Sequence, residues 1–576
     1  MTEIRLLAGL LISIGMIFSS GATAKELTDK KMADDALQNI LEQYDLVGVS
    51  LAVALGDDVI YKGASGCAVI ADAGAAKCER ALRPDTKVRI ASVSKLPLAI
   101  VAQELAQEGM LDLDANIADY LGVGFRNPHF SKTAITTRHL LSHTSSIRDQ
   151  EPYWVHAPGK IDALLKQTQP YATAGDNADY APGAYFSYAN LNSGLAAGVM
   201  ERVSGERFDR LMAKRLFEPA GLDVGYNWSG VSRKARRKAA TLYRSVDGEW
   251  VPQTDNEDIL AAKGPYFLKE EGVGTDAYLA SYSPGDNPTL FSPQGGLRAS
   301  AVDMLSLLSP LRESDQFVEP VWQANADRTN GDTLNDAILE YGLGVMRING
   351  NEAFMPELTM VGHSGEAYGL FSGAWLLRAA DNASLQKSVR IAFAITGARD
   401  AWTAGAHPSF SPPEEAIMRL AMGAAGIGET KKHGKAHHDD PRPFDKSRDA
   451  QADVEAAFAL AQDSGKNVLL VLGANWCHDS RGLAGKFDRP ELASVIAKGY
   501  ERVWVDVGQR DRNLDIARQF GIFELLGTPT ILILSPEGEL LNRESVHDWK
   551  TADSIPYDET LAYFQRFAAS PLKDKR

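Results

Sequence analysis

Cysteine is scarce in this chain. Cys67, Cys78 and Cys477 are the only three in 576 residues, too few for a fold held by a disulfide framework. Basic residues are outnumbered 60 to 75, and the net charge of −15 excludes nucleic acid as the partner, because a polyanion would be repelled. A membrane-spanning run is also lacking. Leu6 to Phe18 is apolar but falls short of the roughly 20 residues that cross a bilayer. No internal repeat is visible, which argues against a solenoid. The remaining balance, 44% hydrophobic and 23% charged, fits a soluble globular protein whose length calls for two or more domains.

Residues 1–24 read as a secretory signal peptide. Arg5 precedes the apolar run, and Ala22-Thr23-Ala24 is a small-x-small cleavage site before Lys25. Export to the periplasm or beyond is the expectation. An uncleaved leader would be the only tie to a membrane, and no cysteine lies at the site to carry a lipid. In an oxidising compartment Cys67 and Cys78 would pair across a turn spanning Ala68 to Lys77. Such a loop closure stabilises by about 3 kcal/mol in the chain-entropy view. Two buried thiols are the alternative.

Hydrophobic patterning predicts a helix over Asp34–Tyr44, then an antiparallel hairpin of Val47–Leu55 and Val59–Gly63. Strand-like runs return at Tyr341–Ile348, Ala374–Arg378 and Val389–Ile395, followed by a helix over Pro413–Met422. Strands gathered at both ends of residues 25–425 predict an α+β domain with one antiparallel sheet built from both ends and flanked by helices. The segment Gly225 to Pro293 is irregular and polar, and is expected to carry substrate-facing loops.

Residues 426–447 form a charged, proline-punctuated linker. Its His433, His437 and His438 read as solvated rather than as metal ligands. Beyond it, 448–576 alternates helix and strand: Ala450–Ser464, Asn467–Leu472, a helix opening at Trp476-Cys477, Val503–Val507, Ile531–Leu534 and Tyr557–Phe567. That alternation predicts a small α/β domain.

The chemistry centres on Ser92-Val93-Ser94-Lys95. With a helix starting at Ser92 and running to about Glu108, Ser92 and Lys95 share one face. The lysine amine can then take the serine proton, and unpaired N–H groups at the helix start can receive an oxyanion. Pro97 sits awkwardly in that helix unless it falls in the first turn. Ser-x-x-Lys alone is a weak signal, but Tyr188-x-Asn190 and His363-Ser364-Gly365 follow in order. Pro182-Gly183, Leu141-Ser142-His143-Thr144-Ser145 and Gly295-Gly296-Leu297 accompany them.

Together these motifs resemble the serine β-lactamase and penicillin-binding family, in its class C and D-alanyl-D-alanine carboxypeptidase branch. The resemblance covers about residues 35–425. It implies that Ser92 is the nucleophile, that Lys95 activates it, and that Tyr188 is a second proton-transfer group whose high reference pKa Lys95 would lower. It implies that Asn190 bonds Lys95 or a substrate amide, and that the N–H groups of Ser92 and Glu366 form the oxyanion hole. His363, Ser364 and Gly365 stand where Lys-Thr-Gly is commonest. A histidine there is mostly neutral at pH 7, and Glu366 adds negative charge, so the variant resembles that of esterases and peptidases more than an efficient β-lactamase.

The last domain resembles thioredoxin. Trp476-Cys477-His478-Asp479-Ser480 stands where Trp-Cys-x-x-Cys would, and Gly527-Thr528-Pro529-Thr530 matches the loop whose cis-proline faces the cysteine. Ser480 replaces the second cysteine, so a dithiol cycle within the domain is unavailable. Cys477 remains a single-thiol candidate with a protein thiol as partner, and a domain used only for binding is the other reading. The expectation is an exported serine hydrolase acting on a small-molecule or peptide substrate through an acyl-enzyme, with no cofactor and no metal. A non-catalytic peptidoglycan- or partner-binding protein, and a thiol-redox protein with an accessory hydrolase domain, are the rivals.

Overall fold

The computed structural model describes residues 24–427 and 441–568, apart from 73–74, 123–124, 174–179, 247, 256–264, 313–318, 352, 380–387, 399–403, 447, 476, 509 and 553–554. The expected signal peptide, save Ala24, and most of the expected linker with its three histidines lie outside the described residues. The chain divides into two units, Met1–Thr430 and Lys431–Arg576. Among the described residues no helix is long and apolar enough to cross a membrane.

In the first unit a nine-stranded sheet is closed from both ends of the sequence. The hairpin strands Ala75–Ala81, Asp58–Asp72 and Gly48–Leu55 lead to Val389–Ile395, Leu370–Ala379, Phe354–Ala367, Met346–Asn351, Glu340–Tyr341 and Trp322–Gln323. The seam between the ends is antiparallel, with Val49 opposite Ile395 and Leu55 opposite Val389.

Alternation sorts the two faces. Val49, Leu51 and Val53, with Ile391, Phe393 and Ile395, fill one core together with residues of the helices Ala24–Gln43 and Pro412–Ala424. Ala52, Ala54, Ala392 and Ala394 face the other core, shared with residues of the helices Lys95–Gln107 and Leu191–Ser204. Small side chains on that face let the helix Ala301–Leu307 approach the sheet closely.

Several boundaries differ from the sequence-based expectation. The α-helix begins at Lys95 (Lys95–Gln107), and Ser92 lies in a preceding 3-10 turn, Ala91–Ser94. Pro97 is therefore the third residue of the helix, where its missing N–H costs nothing. His363-Ser364-Gly365, which falls between the strand-like runs Tyr341–Ile348 and Ala374–Arg378, sits inside a further strand, Phe354–Ala367. The expected strand Tyr341–Ile348 is two strands, broken at Gly344, whose φ is +73° and whose Cβ would lie 2.4 Å from that of Ala99. Cys67 and Cys78 are disulfide-bonded, and the strands they join run on to Asp72 and back from Ala75. The expected ten-residue turn is mostly ladder.

The second unit is a three-stranded sheet with Asn467–Gly473 at its centre. Tyr500–Asp506 pairs with it in parallel and Thr530–Leu534 antiparallel. The helix expected to open at Trp476-Cys477 runs His478–Phe487, with Cys477 at its N-cap position.

Candidate active site

Ser92 is presented by a tightly fastened turn. Ala91 adopts φ +45°, a left-handed conformation that costs a residue with a Cβ about 1 kcal/mol or more. Neighbouring bonds hold it there. Ile90 N–H donates to the Leu297 carbonyl at 3.1 Å. The Ser94 hydroxyl accepts from Leu297 N–H at 3.1 Å, and the Ser94 carbonyl accepts from the buried Tyr226 hydroxyl at 2.6 Å. The Ser372 hydroxyl donates to the Ile90 carbonyl at 2.9 Å.

Gly365 makes the strand's approach to this turn feasible. A Cβ there would lie 2.5 Å from the Ile90 carbonyl oxygen and 3.1 Å from Ser92 N. Gly365→Ala should push the strand away from Ser92 and lower turnover by about 10²-fold, the usual consequence of an ångström of misplacement. Steady-state kinetics beside a thermal melt checks this.

Lys95 is buried and surrounded by three oxygens: Ser92 Oγ at 2.9 Å, Asn190 Oδ1 at 3.0 Å and the Gln294 carbonyl at 3.0 Å. Burial pushes its pKa down to about 7, with the Asp149 carboxylate pulling part of the way back. The neutral amine has two N–H bonds and one lone pair. The Gln294 carbonyl can only accept. Asn190 donates its Nδ2 to Asp149 Oδ2 at 3.0 Å, so its oxygen faces Lys95 and also only accepts. Those two acceptors take the two N–H bonds and leave the lone pair aimed at the Ser92 hydroxyl.

Asp149 has no motif to announce it. Its carboxylate accepts from the N–H groups of Asn190 at 2.7 Å and Leu191 at 3.0 Å, at the start of the helix Leu191–Ser204. It therefore caps that helix from a distant loop while fixing the Asn190 amide.

Tyr188 stands over Lys95, its ring centroid 4.8 Å from Nζ, and its hydroxyl is hydrogen-bonded with Ser92. Its pKa is not lowered as expected. Burial raises it well above the ordinary phenol value, outweighing the Ser92 hydrogen bond. His143 stacks on the other side at 4.2 Å between centroids. It is buried and left-handed at φ +55°, and its Nδ1 accepts from Ala189 N–H at 3.1 Å. Desolvation, with Lys95 beside it, holds its pKa well below the usual value.

His363 is buried under this group. Its Nδ1 lies 2.5 Å from the Ser364 carbonyl, which can only accept, so Nδ1 carries the proton. Nε2 then accepts from the Tyr341 hydroxyl at 2.9 Å, with the Tyr188 hydroxyl at 3.5 Å. Burial and the adjacent Lys95 bring its pKa down to about 3, so the ring is neutral throughout the working range. Ser364, on the opposite strand face, turns its hydroxyl to Met346 Sδ at 3.4 Å and does not join the cluster. Glu366 is exposed and lines the cleft.

The cleft encloses about 1000 Å³ and is bordered by Ser92, Asn190, Tyr153, Trp154 and Tyr368. Much of its rim comes from the segment Gly225 to Pro293, including Asn227, Trp228, Arg244, Asp255 and Leu290. That stretch could not be assigned from sequence because its elements are short: a bridge-like strand Gly225–Tyr226, a helix Arg233–Lys238 and the hairpin Leu242–Val246 with Glu249–Gln253.

Ser92, Lys95 and Tyr188 lie together, and the beta-lactamase family matches residues 33–425. The chain belongs to that family, with a thioredoxin-like match over residues 449–536 marking the second unit. Among curated relatives, the D-alanyl-D-alanine-carboxypeptidase/endopeptidase AmpH of Escherichia coli (strain K12) is 27% identical over 212 residues, 34% of this chain and 51% of that protein. Esterase EstB of Burkholderia gladioli is 27% identical over 319 residues, 51% of this chain and 73% of that protein. A D-aminopeptidase of Brucella anthropi is 26% identical over 204 residues, covering 34% of this chain and 35% of its own. The chain thus spans about half the length of the carboxypeptidase relative. A solved beta-lactamase/D-alanine carboxypeptidase from Yersinia pestis aligns with TM-score 0.49 at 16% identity, covering 69% of this chain and 99% of its own.

In the second unit Cys477 is buried, and its thiol donates to the Thr528 carbonyl at 3.1 Å. The Thr528–Pro529 peptide is cis. Ser480 is fully buried, and its hydroxyl has no partner among the described residues. Trp476 and the His478 side chain lie outside the described residues.

Proposed function

We propose that the first unit is an exported serine hydrolase that opens an ester, amide or D-amino-peptide bond through an acyl-enzyme on Ser92. The observation that carries this is the setting of Lys95 Nζ, 2.9 Å from Ser92 Oγ and held by two obligate acceptors, Asn190 Oδ1 and the Gln294 carbonyl. Neutral Lys95 takes the Ser92 proton as Oγ attacks the carbonyl carbon. The oxyanion meets the N–H groups of Ser92 and Glu366. As the intermediate collapses, Tyr188 donates its proton to the leaving group and is reprotonated from the Lys95 ammonium. Its raised pKa suits it to be that donor and not the initial base. Water then enters and gives a proton to Lys95 as it attacks the ester carbonyl, and the Lys95 ammonium returns that proton to Ser92 Oγ as the acid product leaves. His363 and Tyr341 are positioning residues: Tyr341 occupies Nε2 of His363, leaving the Tyr188 hydroxyl to the substrate. Export is supported by the Cys67–Cys78 disulfide and the leader-like first 24 residues.

The direct test is labelling with a fluorophosphonate followed by intact mass and peptide mapping. One adduct on Ser92 supports the reading, and absence of any adduct at saturating probe would refute it. A second expectation concerns pH. Acylation should rise with pH through about 7 as Lys95 loses its proton. The negative charge of Asp149 favours the ammonium, so Asp149→Asn should lower the Lys95 pKa and move that limb to lower pH, which a kcat/KM profile reads directly.

For the second unit, we infer that Cys477 works as a single thiol that attacks a partner's disulfide, forming a mixed disulfide and releasing the partner's other sulfur as a thiolate. Its placement at a helix start, with its thiol on the Thr528 carbonyl, supports this. Cys477→Ser with no change in a mixed-disulfide assay would leave the binding-only reading in its place.

A further inference from the structure

A second pocket, of about 320 Å³, opens in the first unit and shares no lining residue with the catalytic cleft. Arg148, Thr173, Tyr180, Tyr185, Ser187 and Asp332 border it. The volume stands at the small end of those that hold a small molecule. Backbone bonds fasten its walls. Arg148 N–H donates to the Pro170 carbonyl at 2.8 Å, and Ala172 N–H to that of Ser146 at 2.8 Å. Around Asp332, Phe186 N–H donates to the Asn330 carbonyl at 3.1 Å, and Asp332 N–H to that of Phe186 at 2.9 Å. Gly331 permits this approach, since a Cβ there would lie 2.9 Å from that of Phe186.

Two opposite charges line this pocket without closing on each other. The Arg148 guanidinium packs on two phenol rings, 5.5 Å from the centroid of Tyr180 and 5.4 Å from that of Tyr185. The rings themselves meet edge to face at 4.6 Å, so the guanidinium has a fixed seat. Its Nη1 donates to the Ile147 carbonyl at 3.1 Å. Its other N–H donors have no partner among the described residues. An arginine taken this far from water is ordinarily paired with a carboxylate. Asp332 is close enough for its charge to act on Arg148, yet the two form no ion pair among the described residues. Asp332 is exposed. Its Oδ1 accepts from Leu334 N–H at 3.1 Å, and its Oδ2 has no partner among the described residues. A space of this size between unpaired charges of opposite sign suits a small ligand that carries both.

We propose that this pocket binds a free α-amino acid as its zwitterion, the carboxylate on Arg148 and the ammonium on Asp332. The planar guanidinium offers a carboxylate two parallel, charge-assisted hydrogen bonds, and Asp332 offers the ammonium an anionic acceptor. Arg148 and Ser187 are chain neighbours of Asp149 and Tyr188. The ligand therefore lies against the supports of the catalytic cluster, outside the cleft that takes the substrate. Binding here makes and breaks no covalent bond and stands apart from the acyl-enzyme reading of Ser92.

Calorimetry on the full chain carrying Ser92→Ala, so that no amide is consumed, tests this with glycine and both enantiomers of alanine and phenylalanine. The N-acetyl form of each keeps only the carboxylate, and the amide of each keeps only the ammonium. At least one zwitterion should bind, and each of its blocked forms should bind about tenfold more weakly or worse. Arg148→Gln and Asp332→Asn should each weaken the zwitterion by about tenfold or more, and Arg148→Lys should recover part of the loss. Asp332 is exposed, so Asp332→Asn keeps the test decisive whatever Arg148→Gln does to folding. An affinity unchanged in either folded variant would place the ligand elsewhere and overturn the site. So would an N-acetyl form or an amide that binds as tightly as the zwitterion, or no binding by any of the five amino acids at millimolar concentration.

Discussion

A Ser92→Ala protein is expected to lose ester turnover by roughly 10⁴- to 10⁶-fold and to take no fluorophosphonate, with its melting temperature nearly unchanged. The size follows from the division of labour in the cleft. In the proposed reaction Lys95, Tyr188 and the N–H groups beside Ser92 act on one oxygen, Oγ, or on the intermediate it creates. Without Oγ no acyl-enzyme forms, and the remaining groups can only orient water. The side chain removed is small and half-buried, and its hydroxyl bonds to Lys95 and Tyr188, so the fold loses little. Kinetics on a phenyl ester, with a melt alongside, separates the two effects. Turnover persisting near the wild-type rate would place the nucleophile elsewhere.

Lys95→Met should be as damaging to activity and should change stability in a pH-dependent way. The amine is pushed from its ordinary value near 10.5 down to about 7 by burial, so folding disfavours the ammonium. The unfolded chain holds that proton up to about pH 10.5, whereas the folded chain releases it above about 7. Between those values the unfolded state binds more protons, and stability rises with pH. Below pH 7 the folded protein bears the full cost of a buried charge. Methionine removes that cost, so the variant should gain most at pH 6 and least at pH 9, a difference of about 2–3 kcal/mol. Asn190 and the Gln294 carbonyl lose a partner at every pH, which lowers both values equally and leaves the difference as the readout. Chemical denaturation at the two pH values measures it. An equal effect at both would mean that Lys95 is not perturbed in the folded state.

What the sequence disclosed follows from how each element is encoded. Ser92 with Lys95, Tyr188 with Asn190, and His363 with Gly365 are short local patterns, because one turn of helix or two steps of strand put their partners together. Leu51, Val53, Ile391 and Phe393 were legible as strand residues for the same reason. Asp149 was not: it reaches Asn190 only after a loop folds back across 41 residues. The role of Tyr341 is hidden likewise, and His143, although part of a legible motif, gives no sign of its stacking on Tyr188, since both contacts join separate elements. Charge was misjudged where burial decides it. The phenol of Tyr188 was expected to acidify beside Lys95, but removal from water acts on both groups, lowering the amine and raising the phenol. The left-handed Ala91 leaves no trace in sequence, because alanine does not announce a positive φ.

The seam between Gly48–Leu55 and Val389–Ile395 also sets an order of events during synthesis. The first strand is made early, yet its partner across the seam emerges some 340 residues later, on the order of tens of seconds at ribosomal rates. Until then the hairpin has an open edge and the alanine-rich face of the sheet has no complete floor. The catalytic turn depends on that floor: Ser372, which fastens Ile90, lies on a strand that pairs with Val389–Ile395. The turn that bears Ser92 therefore has its full support only in a chain that extends through Ile395.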